Sequence, residues 1–165
     1  MLSAPLAPEL ALDVPFQKQD EFQCGAAALG MVLRYWQIPA DPAALETELF
    51  VPALQGTPPA LIADAARQRG LLATCRRASM RDLQSALRAG QPPIVFLGPD
   101  RTGSPGHFAV VTGLRGDGDR IRLHGPQEPN VWWHRRAFQQ RWNTGHRLAL
   151  FCHPPGAATN TPPSG

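Results

Sequence analysis

Helix-forming segments fill the first half of this 165-residue chain and strand-like runs fill the second. That order predicts an α+β domain with an N-terminal helical lobe packed on a C-terminal antiparallel sheet. Three observations support the prediction. The run CGAAALGMVLRYW over 24–36 is built of strong helix formers, with Leu29, Val32, Leu33 and Trp36 recurring at three and four residues on one stripe. From Pro93 onward the apolar runs are short and bounded by Gly, Asp and Pro. No internal repeat competes with this order, and the length suits one domain with a single core.

Residues 1–13 have little apolar periodicity and read as a loose tail ahead of a domain over 14–153. The central helix over 24–36 comes first. A small helix over 42–49 follows, with Asp41 as N-cap and Pro42 at its first position. A third, over 58–69, ends at Gly70 and turns Leu61, Ala65 and Ala66 inward. A strand over 71–75 leads to Ser79, whose spacing to Asp82 is that of a capping box opening a helix that runs to Ala89 and stops at Gly90. Strands are predicted over 93–97, 107–114, 120–124 and 147–152, with Gly116-Asp117-Gly118-Asp119 as the sharpest hairpin turn. A last helix over 135–142 separates the later strands, and residues 154–165 read as a second tail.

With 43% hydrophobic and 18% charged residues, the chain is neither of the disordered class nor of the membrane class. The formal charge is +3, and the arginines occur in scattered pairs, Arg76-Arg77 and Arg135-Arg136, without the aromatic-interleaved basic stripe of a nucleic-acid binder. Cys24, Cys75 and Cys152 lie far apart, and an odd count cannot all pair, so no disulfide framework is expected. The five histidines do not join the cysteines at zinc-site spacings, and neither a metal nor a cofactor is expected. The first residues carry no basic n-region and no apolar run long enough for a signal peptide or a membrane span, so a cytoplasmic chain is expected.

Chemistry concentrates at Cys24. A cysteine attacks as thiolate, and the positive end of a helix together with a nearby imidazolium lowers a thiol pKa. Cys24 stands at such a helix start. Gly25 and the small Ala26, Ala27 and Ala28 leave room for a substrate backbone, and the free N–H groups of the first turn suit an oxyanion. For Cys75 and Cys152, in strand-like runs, inert burial is the default. Trp132, Trp133 and Trp142 are candidates either for a peptide groove or for core and edge packing.

The stretch from Val14-Pro15 through Gln19 to Cys24-Gly25, followed by AAALGMVLRYW, resembles the bacteriocin-processing (double-glycine leader) peptidase family, a papain-like cysteine peptidase clan. The resemblance continues through Val51-Pro52, Gly56-Thr57, Arg69-Gly70-Leu71, Gln91-Pro92-Pro93 and Gly106-His107-Phe108-Ala109-Val110-Val111-Thr112-Gly113. It implies a papain-like fold with the nucleophile helix against the sheet. It also implies that Cys24 is the nucleophile, that His107 is its base at the mouth of a strand, and that the Gln19 amide joins the Cys24 N–H in an oxyanion hole. Where the family carries an aspartate before proline on the next strand, this chain has Gly125-Pro126, so the group that orients the imidazole is open: Asn130, Gln127, Asn143, a backbone carbonyl, or none. Ala26 replaces the family's usual proline after Cys-Gly. The implied activity is hydrolysis of a leader or precursor peptide after a small-residue pair, with a peptide or protein substrate and a separate export transporter as partners. The alternatives are acyl transfer by the same pair and a peptide-binding module with little or no catalysis.

Overall fold

The structure is a computed structural model that describes residues 9–20 and 23–157, so the expectations for 1–8 and 158–165, and the motif positions Glu21 and Phe22, lie outside the described residues. The helix predicted around Cys24 is α1 (Cys24–Tyr35), buried from Gly25 through Leu33. A helix apolar on nearly every side has to sit inside the fold. α2 (Pro42–Leu49) buries Leu45 and Leu49, four residues apart on one face. α3 (Pro59–Gln68) buries Ala65 and Ala66 as expected, but Ile62 and Ala63 complete its inner face, while Leu61 is only half-buried at the core margin.

Among the described residues, seven strands form one open antiparallel sheet. β2 (Leu72–Arg77), β7 (Leu148–His153), β3 (Ile94–Leu97), β4 (His107–Arg115), β5 (Arg120–Leu123) and β6 (Val131–His134) lie side by side in that order. β1 (Glu9–Ala11) pairs with β4 through Leu10 opposite Leu114, on the edge of β4 beyond the stretch that β3 covers. Two of these strands differ from the sequence reading. β1 falls within the segment read as a loose tail, and no element is predicted from the sequence over β6.

α4 (Met80–Arg88) opens with the capping box in place: Ser79 Oγ accepts from Asp82 N at 3.2 Å, and Asp82 Oδ2 accepts from Ser79 N at 2.8 Å. α5 (Arg135–Thr144) carries Phe138 and Trp142 into the core. Helices α1 and α3 cover one face of the sheet, where Phe108 and Val110 of β4 point, and α2 packs against α1 and α3. α4 and α5 cover the other face, where Ala109 and Val111 point. The division into helices first and sheet second is therefore completed by two later helices that close the far face. Among the described residues, no helix is long and apolar enough to cross a membrane.

The end of β3 and the end of α5 meet backbone to backbone, which fixes the loop leading to β4. A Cβ on Gly145 would lie 2.2 Å from Phe96 O, and one on Gly98 would lie 2.4 Å from Thr144 C. Gly98 N donates to Arg141 O at 2.8 Å across this contact. Because Gly145 has an ordinary φ of −88°, Gly145→Ala is strained only by the clash. It is expected to destabilise the fold by about 1–3 kcal/mol, as overpacking does, read as a lower urea midpoint.

Candidate active site

Cys24 is the first residue of α1, and the preceding residue, Gln23, is anchored to α2 by its Nε2 donating to Glu46 Oε1 at 2.8 Å. The thiol rests against the start of β4. Burial raises its pKa, and the backbone N–H groups of Phe108, Gly25 and Cys24 itself oppose that rise without overcoming it. The downward shift expected from the helix start is thus present but outweighed by desolvation. His107, the residue before Phe108, pairs with Leu97 across the β3–β4 ladder. Its pKa is held down by burial and then by the Arg141 guanidinium. Thiol and imidazole are thus both favoured in their neutral forms.

Gln19 is buried, with 4% of its surface exposed. Its backbone N donates to Pro126 O at 3.0 Å, and its backbone O accepts from Gln127 Nε2 at 2.9 Å. Its own Nε2 has no hydrogen-bond partner among the described residues. An unpaired buried amide N–H costs about 1–3 kcal/mol, so a donor left in this state points to a functional role.

Gln19, Cys24 and His107 line one cleft of about 780 Å³, apolar over most of its wall. Its other walls come from the turn after Pro52–Leu54, through Thr57 and Pro58, and from Phe96, Ser104, Gln127 and Arg141. The space expected beside Gly25 is taken: a Cβ there would lie 2.8 Å from Thr57 Cβ, so the glycine admits Thr57 and the cleft narrows at the nucleophile. Ala26, Ala27 and Ala28 are buried in the core and do not face the cleft.

A second hollow of about 290 Å³ lies against His107 and is lined by Gly125, Gln127, Glu128, Val131 and Trp133 among others. Neither ring nitrogen of His107 has a hydrogen-bond partner among the described residues. Of the three side chains considered as its orienter, Asn130 is engaged elsewhere, its Oδ1 accepting from Thr112 Oγ1 at 3.1 Å. Asn143 lines a separate hollow beside Asp100. Gln127 alone of the three shares both hollows with His107.

Several supporting residues escaped the sequence reading because no local pattern marks them. Arg141 reaches the cleft from α5 and is pinned by Gly98 O at 2.7 Å and Asp100 Oδ2 at 3.4 Å. Asp100 also gathers Thr102 N, Thr102 Oγ1 and Ser104 N on Oδ1, which shapes the loop before His107. His124 is buried between Val14 O, 2.7 Å from Nε2, and Asn130 N, which donates to Nδ1 at 3.1 Å. Those two bonds require the neutral Nε2–H tautomer, and they hold the segment before Gln19 to the loop that carries Gln127.

The tryptophans do not line the cleft. Trp142 is core, Trp132 lies under the guanidinium of Arg115 at 4.4 Å, and Trp133 faces the second hollow. Cys152 is pushed up to about 12 by burial, and Cys75 is raised by the same cause, so neither competes as a nucleophile. Among the described residues, no three His, Cys, Asp or Glu side chains gather as a metal site requires.

The model of the peptidase C39 family matches residues 14–156. Among solved structures, a double glycine motif protease from an AMS/PCAT transporter, crystallised with the leader peptide, is 23% identical with a TM-score of 0.69. The match covers 87% of this chain and 94% of that one. The peptidase domain of Streptococcus ComA, a bifunctional ABC transporter involved in quorum sensing, is 22% identical with a TM-score of 0.68, covering 86% of this chain and 98% of that one. At these identities the likeness is one of fold. Among curated proteins there is no match.

Proposed function

The chain belongs to the peptidase C39 family, and from that premise we propose that it cleaves a leader or precursor peptide, with Cys24 as nucleophile, His107 as acid and base, and Gln19 as oxyanion donor. The observation that carries this reading is the meeting of all three in one cleft, with the Gln19 Nε2 buried and unpaired. In the first step the Cys24 thiol gives its proton to His107 as the sulfur bonds to the scissile carbonyl carbon. The oxygen that gains charge accepts from Gln19 Nε2 and the Cys24 N–H. The C–N bond then breaks, the imidazolium protonates the leaving amine, and a thioester remains on Cys24. Water, deprotonated by His107, hydrolyses the thioester to a carboxylate and restores the thiol.

The neutral pair favoured by burial fits this sequence, since the proton moves when the carbonyl is in place. The narrowing by Thr57 at Gly25 supports a preference for small residues next to the cleaved bond. A double glycine motif protease is among the structural neighbours, which supports the same class of substrate here. Other neighbours are the peptidase domain of an ABC transporter and the peptidase C39 like domain of a toxin secretion ATP-binding protein, and the proposed partner is a transporter that exports the processed peptide.

Gly125 favours a second reading, in which the cleft holds a peptide without cutting it. One experiment separates the readings. Precursor-like peptides carrying Gly-Gly, Gly-Ala, Ala-Ala or Val-Val pairs are incubated with the chain in H₂¹⁸O and followed by mass spectrometry. Cleavage after the small pairs with one ¹⁸O in the new carboxylate is expected. Transfer of the acyl group to an added amine without ¹⁸O uptake would assign an acyltransferase. Binding of every peptide with no product would assign a binding module.

A further inference from the structure

We propose that the Gln127 carboxamide orients the His107 imidazole, its Oε1 accepting a ring N–H while its Nε2 stays on the Gln19 carbonyl. The inference rests on the Cys24–His107 reading and adds to it the group that takes the place of the missing carboxylate. Gln127 and His107 are together in both hollows, the cleft and the space that Gly125 leaves behind the imidazole. The amide cannot point either way. Gln19 O only accepts, so the end of Gln127 that meets it at 2.9 Å is the NH₂. Its oxygen is left as an acceptor, the complement of an imidazole N–H.

The loop around it is fixed. Gln19 N donates to Pro126 O at 3.0 Å and Gly125 N to Glu128 O at 2.9 Å, while His124 ties the loop to Val14. Glu128 shares only the second hollow, and no bond holds its carboxylate toward the imidazole. A carboxylate rebuilt at position 125 would itself be crowded, since a Cβ on Gly125 meets Glu128 O at 3.3 Å. One side chain would thus hold both the oxyanion donor, through the Gln19 backbone, and the base, through the ring. A neutral amide fixes the tautomer without adding charge, so burial and Arg141 still set the imidazole pKa.

The test measures kcat and KM against pH on a cleaved peptide for wild type, Gln127→Ala, Gln127→Asn and Gln127→Glu, with thermal melting to verify folding. Gln127→Ala is expected to lower kcat on the order of 10- to 100-fold, with KM within about threefold, a smaller loss than that of a buried aspartate because the bond is neutral. In Gln127→Glu the carboxylate stabilises the imidazolium, so the acid limb of kcat/KM moves to higher pH by about one unit or more. A purely structural role would not move that limb. A folded Gln127→Ala with kcat within about twofold of wild type, or a Gln127→Glu profile that superimposes on wild type, overturns the inference and leaves the peptidase reading standing. Wild type that cuts no peptide overturns both.

Discussion

Cys24→Ala and His107→Ala are each expected to abolish peptide cleavage, lowering kcat on the order of 10⁴-fold or more, and the double variant is expected to be no worse than either single one. The reason lies in the step they share. Desolvation favours the neutral form of the half-buried thiol, so in the proposed mechanism the nucleophile forms as His107 takes its proton. Without the imidazole the sulfur attacks as a thiol. Without the sulfur the base has only water to activate, at a distance set for a different atom. Both residues border space, Cys24 at a helix start and His107 at a strand start, so truncation removes few packing contacts and melting temperatures should change little. A His107→Ala variant that retains a tenth of wild-type kcat, with folding intact, would assign the proton transfer to another group.

Gln19→Ala carries the second large expected effect: kcat falls about 10²- to 10³-fold with KM little altered, the usual cost of one oxyanion donor. The selectivity for kcat follows from geometry. Gln19 Nε2 has no partner among the described residues, so in the proposed mechanism its hydrogen bond forms to the charge that develops during reaction. Because the backbone of Gln19 makes both bonds to the 125–128 loop, alanine keeps those ties and deletes only the donor. Gln19→Glu keeps the shape but presents an acceptor to the oxyanion, and it should be at least as slow. Equal losses of kcat and stability would mean that the buried amide serves packing.

The local signals that can be read one segment at a time were the ones the sequence carried well. Ser79 and Asp82 announced the start of α4, and Pro42 that of α2. Alternation along β4 placed Phe108 and Val110 on one face and Ala109 and Val111 on the other, and the two cores divide that way. β1 was invisible because its three residues carry no period and its partner β4 lies in the far half of the sequence, and β6, Val131–His134, has no alternation of apolar and polar residues. α4 and α5 covering the far face of the sheet is likewise a matter of long-range packing.

At the site, Cys24, His107 and Gln19 could be named because a family pattern marks them, and they line one cleft. Their surroundings could not. Thr57 closing over Gly25, Arg141 arriving from α5 and the Gln127 bond to Gln19 O join residues between 32 and 108 positions apart, or on separate elements, and no spacing rule links them. The direction of the Cys24 pKa departs from the sequence expectation for the same reason, since a helix start is local and desolvation is not.

The claim that Cys24 forms an acyl-enzyme is tested most directly by intact-mass spectrometry of the chain mixed rapidly with a peptide thioester or activated ester ending in Gly-Gly, quenched in acid. The account predicts a transient adduct of the acyl mass that maps to Cys24, decays as free peptide acid appears, and is absent from Cys24→Ala. In His107→Ala the adduct should form far more slowly. An adduct on Cys75 or Cys152, or no adduct on any residue while peptide is still cleaved, would contradict it.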